Sequence, residues 1–184
     1  MSSVTSWGVT AAERSQPFPC DTRCPGSDEA LFRGVGVAAP AEVVFRWLCQ
    51  LRVAPYSYDW LDNGGRRSPP ILTPGLEQLA VGQRVMSIFD LVAFEPGRSI
   101  TLVNRTRGGA RAVFGEVWVS YRVVPGDGRS CRLLAKLLVR YPRGPLGWIL
   151  RGLLPPGDLV MMRRQLLNLK TLAERDAGVA APGG

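Results

Sequence analysis

The stretch AVFGEVWVSYRVVPGDGRSCRLLAKLLVRY, Ala112 to Tyr141, decides how this chain folds. Val113, Val117, Val119, Tyr121 and Val123 recur at even spacing, with Glu116, Ser120 and Arg122 on the alternate positions together with Phe114 and Trp118. Alternation of period two is the mark of a strand with one buried face. PGDG then supplies a tight turn, and Leu133, Ala135, Leu137, Val139 and Tyr141 repeat the pattern opposite Arg132, Lys136 and Arg140. Only Leu134 and Leu138 spoil the polar face. The pair predicts a long antiparallel hairpin with one apolar and one mostly wet side.

Working upstream, QRVMSIFDLVAF (Gln83–Phe94) predicts a strand, EPG a turn and RSITLVN (Arg98–Asn104) the returning strand; TRGGAR (Thr106–Arg111) predicts the next turn. Near the start, LFRGVGVAA (Leu31–Ala39) predicts a strand. Ala41 to Leu51 predicts a helix, with Val44, Trp47, Leu48 and Leu51 as its apolar stripe and Pro40 well placed at its first turn. Downstream, PLGWILRGLL (Pro145–Leu154) reads as a short apolar helix that Pro155-Pro156-Gly157 interrupts, and Asp158 suits the N-cap of a new one. Leu159, Met162, Leu166, Leu169 and Ala173 then give that last helix an apolar seam. A curved sheet with one apolar face needs a cover, and the last helix is the available one. The fold class is therefore α+β, in one domain.

Composition sets limits on function. The 184 residues are 46% hydrophobic and 21% charged, with a net charge of +8, an ordinary globular balance. Of the 23 basic residues only Lys136 and Lys170 are lysine. The arginines are dispersed, without the basic stripe and stacking aromatics of a nucleic-acid reader, so no nucleic-acid partner is expected. There is no histidine, which removes histidine-based triads and zinc sites. Cys20 and Cys24 have zinc-like spacing but no second close pair; Cys49 and Cys131 read as buried thiols. No metal or cofactor is expected. The start of the chain lacks a basic segment followed by an apolar run, so no signal peptide is read there. LGWILRGLLPPGDLVMM is broken by Arg151, Pro155, Pro156 and Asp158, so no stable membrane insertion is expected. The expectation is a cytoplasmic protein with reduced cysteines. Residues 1–29 and the tail from 176 to 184, rich in small residues and without a period, are expected to be a dispensable, disordered extension and a flexible end.

The order strand, helix, loop, meander, long helix resembles the START-like or helix-grip superfamily (SRPBCC), which includes polyketide cyclases and lipid-transfer domains. GVGVAAPAEVVFRWL (Gly34–Leu48), VGQRV (Val81–Val85), FEPGRSITL (Phe94–Leu102), WVSYRVVPGDGRSCRLLAKLLVRY (Trp118–Tyr141) and the terminal helix carry the resemblance, over about residues 30–175. The loop APYSYDWLDN (Ala54–Asn63) is similar to that of a bacterial subgroup without assigned chemistry. The resemblance implies a sheet wrapped around the last helix, with a cavity for an apolar ligand between them. Gly34-Val35-Gly36-Val37-Ala38-Ala39 also matches a relaxed dinucleotide fingerprint, but a meander follows it and Pro40 intervenes, so a bent strand or close helix packing is the better reading.

The cavity walls are expected to come from Val117, Val119 and Tyr121, from Leu133, Ala135, Leu137 and Val139, and from Met162, Leu166 and Leu169 of the helix. Met161 is a further candidate liner. Tyr56, Tyr58 and Trp60 would form the rim, as amphipathic aromatics with polar tips in water; as plugs of the core they would be purely structural. Asp59 and Asp62 are cap residues, partners of Arg66 and Arg67, or acids. Arg84, Asp90, Asn104 and Glu116 lie on strands. Asp90 is inert if it faces solvent and functional if it faces inward beside Arg84 or Tyr121. Three functions remain open. One is non-catalytic binding of a small apolar or lipid-like molecule. Another is a cyclase, aromatase or dehydratase using Tyr56, Tyr58, Asp59 or Asp90. The third is a regulatory or interaction protein whose LGWILRGLL segment docks a partner or membrane surface through Trp148, Ile149 and Leu150, with Arg143 and Arg151 meeting anionic groups. The oligomeric state is left open.

Overall fold

In the computed structural model, residues 4–62, 64–105 and 109–178 are described. Strands β1 (Ser6–Trp7), β2 (Glu29–Val37), β3 (Arg84–Val85), β4 (Phe89–Glu95), β5 (Ser99–Asn104), β6 (Glu116–Pro125) and β7 (Cys131–Arg140) form one sheet in the order β1-β2-β7-β6-β5-β4-β3. Every pairing is antiparallel except the short parallel contact of β1 with β2. The helices are α1 (Ala11–Ser15), α2 (Ala41–Cys49, continued by a 3-10 turn to Arg52), α3 (Asp59–Asp62), α4 (Ala110–Phe114) and α5 (Pro145–Asp176).

The hairpin β6–β7 forms in the register its alternation demands, with Val119 opposite Leu137 and Tyr121 opposite Ala135. Val117, Val119, Tyr121 and Val123 are buried on the same face as Leu133, Ala135, Leu137 and Val139, against α5. Helix α5 meets that face with Met162, Leu166, Leu169 and Ala173. Helix α2 closes one end, with Trp47 fully buried and its Nε1 donating to Asp176 Oδ2 at 3.0 Å.

Several expectations are corrected. The run from Ala112 is not strand from its beginning: α4 occupies Ala110–Phe114, Gly115 turns the chain at φ 77°, and Val113 is exposed. The run Gln83–Phe94 is itself a hairpin. Met86 and Ser87 adopt left-handed φ values of 47° and 62°, so that Arg84 pairs with Asp90 and Val85 with Phe89. Pro155 and Pro156 do not end a helix, because α5 runs through them for 32 residues. Each proline lacks an N–H toward the carbonyl four residues back. Those carbonyls belong to the exposed residues Arg151 and Gly152, where water can meet them. Asp158 is thus inside a helix, not at its cap. Of the TRGGAR turn, Thr106–Gly108 lie outside the described residues, as do the tail positions 179–184.

The N-terminal segment is not loose in the described range 4–29. Phe18, Cys20 and Cys24 are buried with Phe32, Leu134 and Leu138 in a second cluster on the convex face of the sheet. Thr10 and Glu13 form a capping box on α1, and Glu13 also holds Arg132 at 2.7 Å. Lys136 pairs with Asp21 and lies over the rings of Phe18 and Phe32. Leu134 and Leu138, which break the polar alternation of β7, are the surface this segment covers. The glycine at 34 serves the same contact: a Cβ there would stand 2.7 Å from Val9 and 2.9 Å from Leu134. β2 pairs antiparallel with β7, and the strand that follows α2, β3, lies at the far edge of the sheet, so the glycines are not followed by the adjacent parallel strand that a dinucleotide-binding unit needs.

Candidate functional site

Between α5 and the concave side of β6 and β7 lies a cavity of about 400 Å³. Val119, Tyr121 and Leu137 form its floor, and Met161, Met162, Gln165 and Asp158 come from α5. Its rim is Pro55, Ser57 and the segment Met86–Phe89. The walls are thus largely aliphatic, aromatic and thioether groups, with polar atoms concentrated around one helical turn.

Those polar atoms are ordered by α5. Tyr121 Oη donates to Gln165 Oε1 at 2.6 Å, and Gln165 Nε2 donates to the Pro55 carbonyl at 2.6 Å and approaches Met86 Sδ at 3.2 Å. One turn on, Asn168 Nδ2 donates to the Tyr56 carbonyl at 2.8 Å. Gln165 therefore ties the floor strand, the rim loop and the β3–β4 turn to one helix. The rim needs such ties: Tyr56, Met86 and Ser87 all have positive φ, and these are the only such non-glycine residues among those described. Left-handed backbone in bulky residues costs energy and persists where surrounding contacts over-determine it, frequently at ligand sites. Burial of Tyr121 pushes its phenol far above the ordinary tyrosine range, so it is a neutral donor.

Asp158 lines the same cavity from α5. Its Oδ2 stands 2.8 Å from Nη2 of Arg33, whose side chain is wholly buried on β2. The Arg33 guanidinium also donates to the carbonyls of Phe32 and Pro155, while its Nε has no partner among the described residues. Burial raises the Asp158 carboxyl to about 6 in spite of the opposing pull of Arg33. A cavity-lining acid in this range titrates near neutral pH.

The expected site residues divide. Val119, Tyr121, Leu137 and Met162 line the cavity, as does Met161. Val117, Val139, Leu133, Ala135, Leu166 and Leu169 are buried in the surrounding core without reaching it. Tyr56 is a core residue: its ring packs edge-on against Trp47 at 5.9 Å, and burial pushes its phenol up to about 12. Tyr58 faces a different groove, where Arg164 lies over its ring at 6.0 Å. Trp60 is 74% exposed. The loop reaches the cavity through Pro55 and Ser57 instead. Asp59 caps Ser68, accepting from its N–H and hydroxyl; the Asp62 side chain lies outside the described residues. Asp90 pairs with Arg105 at 3.1 Å on the outer side. Asn104 bridges Gly115 O and Val117 N, and Glu116 pairs with Arg111 and Arg140, which are structural tasks.

Arg33, Asp158 and Gln165 were not anticipated as site groups. Arg33 shares the strand face of Leu31, Val35 and Val37, so an arginine at an inward position was visible in the period-two pattern of that strand. Gln165 lies one position before Leu166 on the helical seam and had no comparable signal.

A long helix is held in the curve of a largely antiparallel sheet, with a cavity between them. This is the helix-grip fold. Several solved structures align with most of this chain at low sequence identity. A protein from Mesorhizobium loti is 17% identical, with a TM-score of 0.49, 80% of this chain and 98% of that one being covered. One from Thermobifida fusca is 14% identical at a TM-score of 0.49, over 84% and 97%. An aromatase/cyclase from a Streptomyces species is 18% identical at 0.44, over 85% and 98%. No family model and no curated protein matches the sequence.

Proposed function

We propose that this helix-grip protein binds one small, mainly apolar molecule between α5 and the β6–β7 hairpin, without transforming it. The observation that carries this reading is the cavity itself. It has about 400 Å³ walled by Val119, Leu137, Phe89, Met86, Met161 and Met162, within the volume range of small-molecule sites. Methionines adapt to irregular apolar shapes. Tyr121, Gln165 and Asp158 give the ligand one polar end, suited to a hydroxyl, carbonyl or amide. The four cysteines are free thiols, which supports a reducing, cytoplasmic setting for this activity.

The test is titration with N-phenyl-1-naphthylamine, a neutral apolar dye. Saturable 1:1 binding is expected. Val119→Trp fills the floor and Met161→Trp the wall; each should abolish the signal while the melting transition is retained. Undiminished dye binding in a folded Met161→Trp protein overturns the reading.

A second reading, cyclase- or dehydratase-like chemistry in the same cavity, is favoured by Asp158 alone. Its carboxyl is held at about 6, where a group can both take and give a proton at neutral pH. Tyr56, Tyr58, Asp59 and Asp90 do not line the cavity and have no part in this alternative. Mass spectrometry of a copurified compound, before and after incubation, separates the two: an altered compound means catalysis.

A further inference from the structure

The first half of α5 turns an apolar face to solvent. Leu146, Ile149, Leu153 and Val160 are 43, 48, 65 and 52% exposed. Their spacings of three, four and seven put them on one side of the helix, away from the core positions Met162 and Leu166. Trp148 flanks the face at 79% exposure. The convex stripe is continued by a shallow groove lined by Trp7, Tyr58, Val160, Arg163 and Arg164.

The exposed charge that α5 itself carries along this face has one sign. Between Arg143 and Ala173 the only acidic residue is Asp158, and it is buried against Arg33. Arg143, Arg163 and Arg164 are exposed. Among the described residues no carboxylate pairs with these three; Arg163 and Arg164 lie over the rings of Trp7 and Tyr58 instead. Arg151, on the flank, is engaged by Asp28 at 2.9 Å. A helix lying in a membrane interface has this constitution: an apolar face, a tryptophan at headgroup depth and arginines for anionic lipid. A convex ridge suits a bilayer, which yields around it, better than a partner that must supply a groove. No described helix is long and apolar enough to cross a membrane, so the contact is peripheral.

We infer that the protein docks on anionic phospholipid bilayers through the exposed face of α5 from Leu146 to Arg164. The inference stands independently of what the cavity holds. The experiment is co-sedimentation of the full chain with phosphatidylcholine vesicles, with and without about 30% phosphatidylglycerol. Partitioning onto the anionic vesicles should be at least about tenfold stronger, and should fall as salt screens the arginines. The double variant Trp148→Ala/Ile149→Ser and the double variant Arg163→Gln/Arg164→Gln should each weaken it by about tenfold. Both sets alter exposed side chains, and circular-dichroism melts should superimpose on the parent. Absence of sedimentation with anionic vesicles overturns the inference. So does binding unmoved by either folded variant. Sedimentation equilibrium showing a dimer that Trp148→Ala/Ile149→Ser dissociates also overturns it, because a second copy would then own this face.

Discussion

Arg33 of β2 and Asp158 of α5 meet at 2.8 Å inside the grip, with side-chain exposures of 0 and 10%. The contact joins the sheet to the helix beside the cavity. Burial of the acid outweighs the attraction of the arginine, because its carboxyl is raised from the ordinary 3.8 to about 6. Between these values the folded protein holds a proton that the unfolded chain has released. Unfolding therefore sheds a proton, and this group's contribution to stability falls as pH rises through that window. Asp158→Asn, which mimics the protonated acid, should match the parent below about pH 4 and exceed it above about pH 6, by on the order of 2–3 kcal/mol. Urea unfolding of both proteins across pH 4–7 checks this; a difference that does not change with pH contradicts it.

Arg33 supplies the opposing attraction. In Arg33→Leu the step belonging to Asp158 should move to higher pH by roughly one unit or more, because only desolvation remains. The same urea series reads it. A step that stays at its parent position would mean that the two groups are not coupled.

Much of the fold was legible because its strands obey a strict period and its last helix has a clean seam. What was not legible had competing local signals. Pro155-Pro156 reads as a helix end, but buried contacts at Pro155, Met162 and Gln165 carry α5 through. Met86-Ser87 lacks the glycine or asparagine that marks a left-handed turn, and the chain reverses there on tertiary contacts: Met86 N donates to Leu51 O, Arg105 N donates to Ile88 O, and Gln165 Nε2 approaches Met86 Sδ. Leu134 and Leu138 looked like flaws in an alternating strand, yet they marked a face that an earlier segment covers. At the site, the aliphatic floor followed from alternation, while the rim did not: no period orders a loop, and polarity alone drew attention to its exposed residues.

The N-terminal segment gives a test of that covered face. Deleting residues 1–28 would strip Phe18, Cys20 and Cys24 from Phe32, Leu134 and Leu138 and remove the partners of Arg132 and Lys136. Losing three buried apolar side chains should cost on the order of 4 kcal/mol, which lowers the melting temperature by about 10 °C. An unchanged melt would show that the segment is dispensable.

Tyr121→Phe tests the polar clamp. It leaves Gln165 Oε1 without the donor it holds at 2.6 Å, where both side chains are buried. The expected cost is about 1–3 kcal/mol in urea unfolding. A neutral outcome would mean that Gln165 turns to another donor and that the clamp on the rim does not depend on the floor strand.

The rim loop Ala54–Trp60 distinguishes three roles within a few residues. Trp60, at 74% exposure, touches neither core nor cavity wall, so Trp60→Ala should stay within about 0.5 kcal/mol of the parent and leave dye affinity unchanged. Tyr56 packs against Trp47 and is 2% exposed, so Tyr56→Ala should cost about 3–5 kcal/mol. Ser57 lines the cavity rim and is buried, so Ser57→Trp should cost about 1–3 kcal/mol by overpacking and, in the folded protein, weaken the dye by about tenfold, as one wall closes the entrance. Melts beside dye titrations of the three variants separate the roles. If Trp60→Ala weakens the dye and Ser57→Trp does not, the entrance lies on the other side of the loop, and the ligand approaches past α3 instead of past Met86 and Ser87.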